Sequence, residues 1–218
     1  IYVMKVGFLG PKGTFSYEVC SEYCKENYEK IEYKTIPETI IALNNNEIDE
    51  CIVPIENSLQ GCVTDAIDTL IQNDNIKVKK EVLLEIKQNL MSNKKYKLDE
   101  IKVVYSHPQA LAQCKKYLSD NLPNVKQIAV ESTAYSAQKV SQGEENCACI
   151  CNISCLEEYD LKLIKESIQD NSFNKTKFWV LSKKENTEGH FEKMSMIFSV
   201  KDKPGALYNV LEIFSNII

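Results

Sequence analysis

The sequence contains no arginine; all 26 of its basic residues are lysine. A cationic anion site must then use lysine as a point charge, and the bidentate guanidinium fork is excluded. Glycine is scarce, at seven residues in 218. The turn Gly10-Pro-Lys-Gly13 has the spacing of neither glycine-rich phosphate loop, so no nucleotide motif is visible. No stretch approaches the roughly 20 apolar residues of a transmembrane helix. No charged leader with an apolar core opens the chain, which makes the cytoplasm the expected compartment. A net charge of -5 argues against nucleic-acid or anionic-membrane partners.

Nine cysteines are present. Free thiols in a reducing compartment are expected rather than disulfides. Cys147, Cys149 and Cys151 alternate, so on a strand they share one face, with Cys155 beyond. Zinc sites favour paired cysteines two to four residues apart on a turn, so small buried side chains are expected here and no metal.

The chain alternates short apolar runs with stretches of helical spacing, which predicts an α/β fold with largely parallel sheets. Strands are expected at Val6–Leu9, Ile31–Ile36, Cys51–Ile55, Ile101–Tyr105, Gln127–Val130, Ala148–Asn152 and Phe178–Leu181. A helix is expected from Thr14–Ser16 to about residue 27, capped by Thr14 or Ser16. Val78–Met91 alternates as a long strand or strand pair that crosses between two lobes, and Leu161–Lys165 is read as a strand returning to the first lobe.

Polar clusters follow the strands directly: Gly13-Thr-Phe-Ser16, Glu56-Asn-Ser58, Ser106-His-Pro-Gln109 and Ser132-Thr133. Junctions of this kind lie at the carboxyl ends of strands, where open α/β sheets bind ligands. Each also presents a helix N-terminus, whose free N–H groups and dipole favour an anion. Asn174-Lys-Thr-Lys-Phe178 adds an amide, a hydroxyl and cations at the mouth of a buried strand. Together they predict a cleft for a small polyanion. Met194–Val200 is read as a strand, and Ala206 onward as an apolar-striped helix that belongs to a domain cut short.

The stretches Gly10–Ser16, Pro54–Ser58 with Gly61 and Val63, Ser106–Ala110 with Gln113-Cys114, Glu131–Thr133, and Ile168–Asp170 through Asn174 to Thr176–Phe178 occur in an order that resembles the prephenate dehydratase family. Lys203-Pro-Gly-Ala-Leu207 resembles the start of an ACT regulatory domain (βαββαβ type), where Gly205, Ala206 and Leu207 would help bind phenylalanine. The resemblance implies two α/β lobes, like a periplasmic binding protein, with the active site between them. The catalytic region would span 4–185, with one lobe at about 4–80 and 168–185 and the other at about 81–167; 186–193 would be a linker and 194–218 an incomplete ACT domain. The implied reaction takes prephenate to phenylpyruvate, water and CO2 in phenylalanine biosynthesis, without a cofactor, in a homo-oligomer (dimer or tetramer) inhibited by phenylalanine.

The family's essential threonine maps onto Thr176, an oriented donor to the departing hydroxyl. Lys177 stands where the family usually has arginine and is expected to clamp a carboxylate. Phe178, Asn57, Ser58, Thr14, Ser16, Ser106, His107, Gln109, Ser132 and Thr133 are candidate substrate contacts. Glu56 is expected to orient Lys177 or a junction amide, or to be protonated when buried. His107 is open between a substrate contact and a ring bonded to backbone. Three other readings stand beside this one: arogenate as substrate, a non-catalytic amino- or keto-acid binding module, and an inactive relative that senses phenylalanine.

Overall fold

The computed structural model describes residues 2–185 and 193–216. They divide near residue 186 into a large unit and a small C-terminal one. The large unit opens with β1 (Met4–Leu9), α1 (Phe15–Tyr23), β2 (Tyr28–Tyr33), α2 (Ile36–Asn44) and β3 (Glu50–Asn57). The two-residue β4 (Gly61–Cys62), α3 (Thr64–Ile71) and β5 (Lys77–Glu85) follow. The chain then builds β6 (Asn89–Ser92), β7 (Val103–Ser106), α4 (Pro108–Gln113), α5 (Lys115–Asn121), β8 (Lys126–Ala129), α6 (Thr133–Ser141), β9 (Cys147–Cys151), α7 (Cys155–Glu158) and β10 (Lys162–Lys165). It returns through β11 (Lys175–Ser182).

Two sheets result, one per lobe. The first runs β2-β1-β3-β11-β5 with β4 on β3; the second runs β10-β6-β9-β7-β8. The β-α units pair parallel (β1 with β2 and β3, β7 with β8 and β9). The returning β11 inserts antiparallel between β3 and β5. Strand alternation splits the core by face. On β3, Cys51, Val53 and Ile55 join one apolar cluster and Ile52 the other. On β9, Ala148 and Ile150 face one layer, while Cys147, Cys149 and Cys151 face the opposite one, as their spacing requires. Burial pushes the Cys147 thiol up to about 11 and Cys114 up to about 12, so both are neutral packing groups at ordinary pH. Among the described residues no cluster of His, Cys, Asp or Glu has the arrangement of a metal site, and no helix is long and apolar enough to cross a membrane.

Several sequence expectations change. α1 ends at Tyr23, not near residue 27. β5 stays in the first sheet to Glu85 because it pairs with β11 along its length. The crossing between lobes is therefore Ile86–Gln88, not residue 80. β10 does not return to the first lobe: it is an antiparallel edge strand on β6. In the C-terminal unit, Met194–Val200 forms no strand, and its side chains are exposed. Helix α8 (Ala206–Ser215) follows Gly205, whose φ of +80° is a left-handed conformation. The start of the expected linker, through residue 192, lies outside the described residues.

Candidate active site

A cavity of about 420 Å³ lies where the lobes face each other. That volume suits a small molecule. Along one side the lobes are joined by two crossing segments that bond to each other. Ile86 N–H donates to Asn174 O at 2.9 Å, and Ile168 N–H donates to Gln88 O at 2.8 Å. Along another edge, α7 of the second lobe holds the turn before α1. Cys155 Sγ donates to Gly13 O at 3.2 Å and Tyr159 Oη to Lys12 O at 2.9 Å.

Two helix N-termini open into the cavity. Thr14 caps α1, accepting from Tyr17 N–H at 3.2 Å while its own hydroxyl donates to Leu9 O at 3.1 Å. Ser132 caps α6, accepting from Tyr135 N–H at 2.9 Å. The first intrahelical bonds begin at Glu18 and Ser136, so the N–H groups of Phe15, Ser16 and Thr133, all on the cavity wall, lie in the part of each helix that has no internal acceptor. Among the described residues no lysine lines this cavity. In place of the expected lysine, the wall offers an anion the backbone N–H groups and dipoles of two helix ends, with Glu131 as a carboxylate on the same wall.

Thr176 and Asn57 form the polar centre. They are direct partners in the register of β11 on β3, and both are largely buried. Asn57 Nδ2 donates to Thr176 Oγ1 at 2.9 Å and to Asn174 Oδ1 at 2.8 Å. Asn57 Oδ1 accepts from the N–H groups of Leu59 and Gln60, at 3.0 and 3.1 Å. The side chain is thus saturated and fixed in one orientation. Because Thr176 Oγ1 accepts from Asn57, its own hydrogen is left to point elsewhere. Phe178 lines the same cavity with an almost fully buried ring.

His107 caps α4, its Nδ1 accepting from Gln109 N–H at 3.2 Å. That bond assigns the neutral ring's hydrogen to Nε2. The ring and the Gln109 side chain both line the cavity, so the two readings of His107 describe opposite edges of one ring.

Four expected contacts are not in the cavity. Lys177 lies between Thr176 and Phe178 on β11, and strand alternation turns it to the other face. There its Nζ meets Glu56 Oε2 at 3.0 Å, which holds the Lys177 ammonium above its usual pKa. Glu56, its register partner, is turned away with it and does not oppose an anion in the cleft. Ser106 is fully buried and donates to Ile150 O at 2.6 Å, tying β7 to β9. Ser58 donates to Phe173 O and accepts from Lys175 N–H, fastening the loop before β11. The cavity also has polar walls outside the candidate substrate contacts: Gln60, Gln88, Gln113 and Asn174. Gln113 and Asn174 sat inside recognisable stretches, but Gln88 is one polar residue inside a strand-like run and carried no signal.

The prephenate dehydratase family model matches residues 6–186. The prephenate dehydratase of Lactococcus lactis subsp. cremoris is 37% identical over 218 residues, covering 97% of this chain and 77% of that protein. The bifunctional chorismate mutase/prephenate dehydratase of Aquifex aeolicus is 34% identical over 211 residues; the match covers 97% of this chain but only 58% of that longer protein. The crystal structure of prephenate dehydratase from Arthrobacter aurescens in complex with L-Phe superposes with a TM-score of 0.80 at 27% identity, covering 98% of this chain and 72% of that one. The chain belongs to the prephenate dehydratase family, lyases of phenylalanine biosynthesis.

Proposed function

We propose that the cavity converts prephenate to phenylpyruvate, water and CO2, with Thr176 as the donor to the departing ring hydroxyl. The observation that carries this reading is the Asn57 Nδ2 to Thr176 Oγ1 bond at 2.9 Å. It leaves the threonine hydrogen free to donate into the cavity. A preorganised donor of this kind is worth on the order of 10²–10³ in rate. The substrate is a dianion, and two helix N-termini, α1 and α6, offer it backbone N–H groups. The electron flow needs one proton and no electron carrier. The ring C–O bond breaks towards oxygen, the ring–carboxylate bond supplies the pair that completes the aromatic ring, and CO2 departs. The proton that makes the hydroxyl into water passes through Thr176 Oγ–H and is replaced from solvent.

Ser16, Thr133, His107 Nε2–H and Gln109 are assigned to the substrate's carboxylates and carbonyl, while Thr14 and Ser132 act by capping the helices. Lys177, Glu56, Ser58 and Ser106 receive structural roles. Phenylalanine is proposed as the effector through the C-terminal unit, read as the start of an ACT domain at Gly205, Ala206 and Leu207. The L-Phe complex of the Arthrobacter relative supports that reading. A homo-oligomer, a dimer or tetramer, is part of the same proposal. The test is direct: incubation of the chain with prephenate and spectroscopic detection of phenylpyruvate. Turnover is expected, and its absence in the folded chain overturns the reading in favour of a binding module.

A further inference from the structure

One buried polar atom at the cavity is left without a task by the reaction as described. Gln88 is only 3% exposed and sits on the crossing between β5 and β6. Its backbone is held at both groups: N–H donates to Gln169 Oε1 at 2.9 Å, and the carbonyl accepts from Ile168 N–H at 2.8 Å. Its side-chain Nε2 donates to Gln113 Oε1 at 3.1 Å. Gln88 Oε1 is buried and has no partner. Both glutamines line the cavity that holds Thr176. A buried carbonyl oxygen left unpaired is destabilising, and one carried by a residue on a cavity wall is open to pairing with what fills the cavity.

The chemistry of the substrate says what completes it. The donors set out above, the two helix N-termini, Thr176 Oγ–H and His107 Nε2–H, suit carboxylate and carbonyl oxygens. A prephenate dianion carries a single hydrogen-bond donor, its ring hydroxyl. We propose that Gln88, positioned by Gln113 and Gln169, accepts a hydrogen bond from that hydroxyl, so that the leaving group is gripped between the Thr176 donor and the Gln88 acceptor. This rests on the dehydratase reading and adds a specificity-determining residue to it. The bond gains strength during the reaction. As the oxygen receives its proton and the C–O bond lengthens, the remaining O–H becomes more acidic. Its contact with Gln88 then favours the transition state over bound substrate.

Gln88→Met removes the acceptor at similar volume. Its kcat for prephenate is expected to fall about tenfold to a hundredfold, with KM within about threefold of the parent. Inhibition by phenylpyruvate, which lacks the hydroxyl, is expected to be unchanged, a pattern that a distorted pocket does not give. Gln88→Glu keeps an acceptor oxygen and adds a charge that repels the dianion. It is expected to return kcat to within about tenfold of the parent while KM rises. The proposal is overturned by a parental kcat in Gln88→Met, by phenylpyruvate inhibition weakening in step with kcat, or by Gln88→Glu losing as much kcat as Gln88→Met. Should Gln88→Met fail to fold, the kcat of Gln88→Glu decides alone: a hundredfold loss refutes the contact. Failure in these variants with an active parent leaves the dehydratase reading standing; a folded parent that makes no phenylpyruvate removes both.

Discussion

Asn57 joins the stability of its loop to the chemistry of its neighbour through opposite ends of one amide. Its Oδ1 satisfies two backbone N–H groups and its Nδ2 orients Thr176. Two substitutions separate these tasks. Asn57→Asp keeps the acceptor and loses the donors, so kcat is expected to fall by at least about tenfold with a small change in melting temperature. Asn57→Ala also bares the two N–H groups and is expected to cost about 1–3 kcal/mol of stability in denaturant titration. For Lys177 the geometry reverses the sequence expectation. Lys177→Ala is expected to leave KM within about threefold of the parent, because the side chain leaves β11 on the face opposite the cavity-lining Thr176 and Phe178 and a partly exposed ion pair contributes little. A sharp rise in KM would restore it as a clamp. Thr176 and Asn57 stood among the candidates through the order of the polar junctions and the family resemblance, and the fold brings both to the cavity wall. Glu56, Lys177, Ser58 and Ser106 were not separable from them. Facing is decided one residue at a time, and the β11–β3 register shifts between Lys177 and Phe178.

At the scale of elements, the cleft depends on how the turn before α1 meets α7. Gly13 has φ +87°, and a Cβ there would come within 3.0 Å of both Cys155 Sγ and Tyr159 Cε2. Gly13→Ala therefore strains the backbone and pushes on the contact between lobes. It is expected to cost about 1–2 kcal/mol, and to lower kcat/KM roughly tenfold by displacing the α1 N-terminus. Both are readable from a melt and a steady-state assay. The β-α alternation and the strand-to-helix junctions were legible, since apolar spacing and caps such as Thr14 and Ser132 are local signals. The placement of β11 between β3 and β5 was not. It is set by pairing with strands about ninety or more residues earlier in the chain, and it moves the lobe boundary to Ile86–Gln88. Met194–Val200 shows the converse: an apolar run with strand propensity forms no strand where the described residues offer no partner for its backbone.

For the whole molecule, a carboxylate on α1 makes stability depend on pH. Burial pushes the Glu18 carboxyl up to about 7, with repulsion from Glu22 adding to it and Lys87 on the crossing segment opposing it. The folded pKa lies above the ordinary value of 4.5. The favourable contribution is thus complete below about pH 4.5 and is lost as pH rises through about 7. Glu18→Gln removes the titration, so its melting temperature relative to the parent is expected to climb between pH 5 and pH 8; a constant difference would contradict this. The absence of arginine is resolved at this scale as well. In the proposed site the dianion is met by helix ends, not by side-chain cations. The proposed reaction turns most directly on Thr176, and steady-state turnover of prephenate by Thr176→Ala and Thr176→Ser is the measurement. Alanine is expected to lower kcat by about 10²–10³, and serine, which keeps the hydroxyl, to stay within about tenfold of the parent. Full activity in the alanine variant would contradict the account.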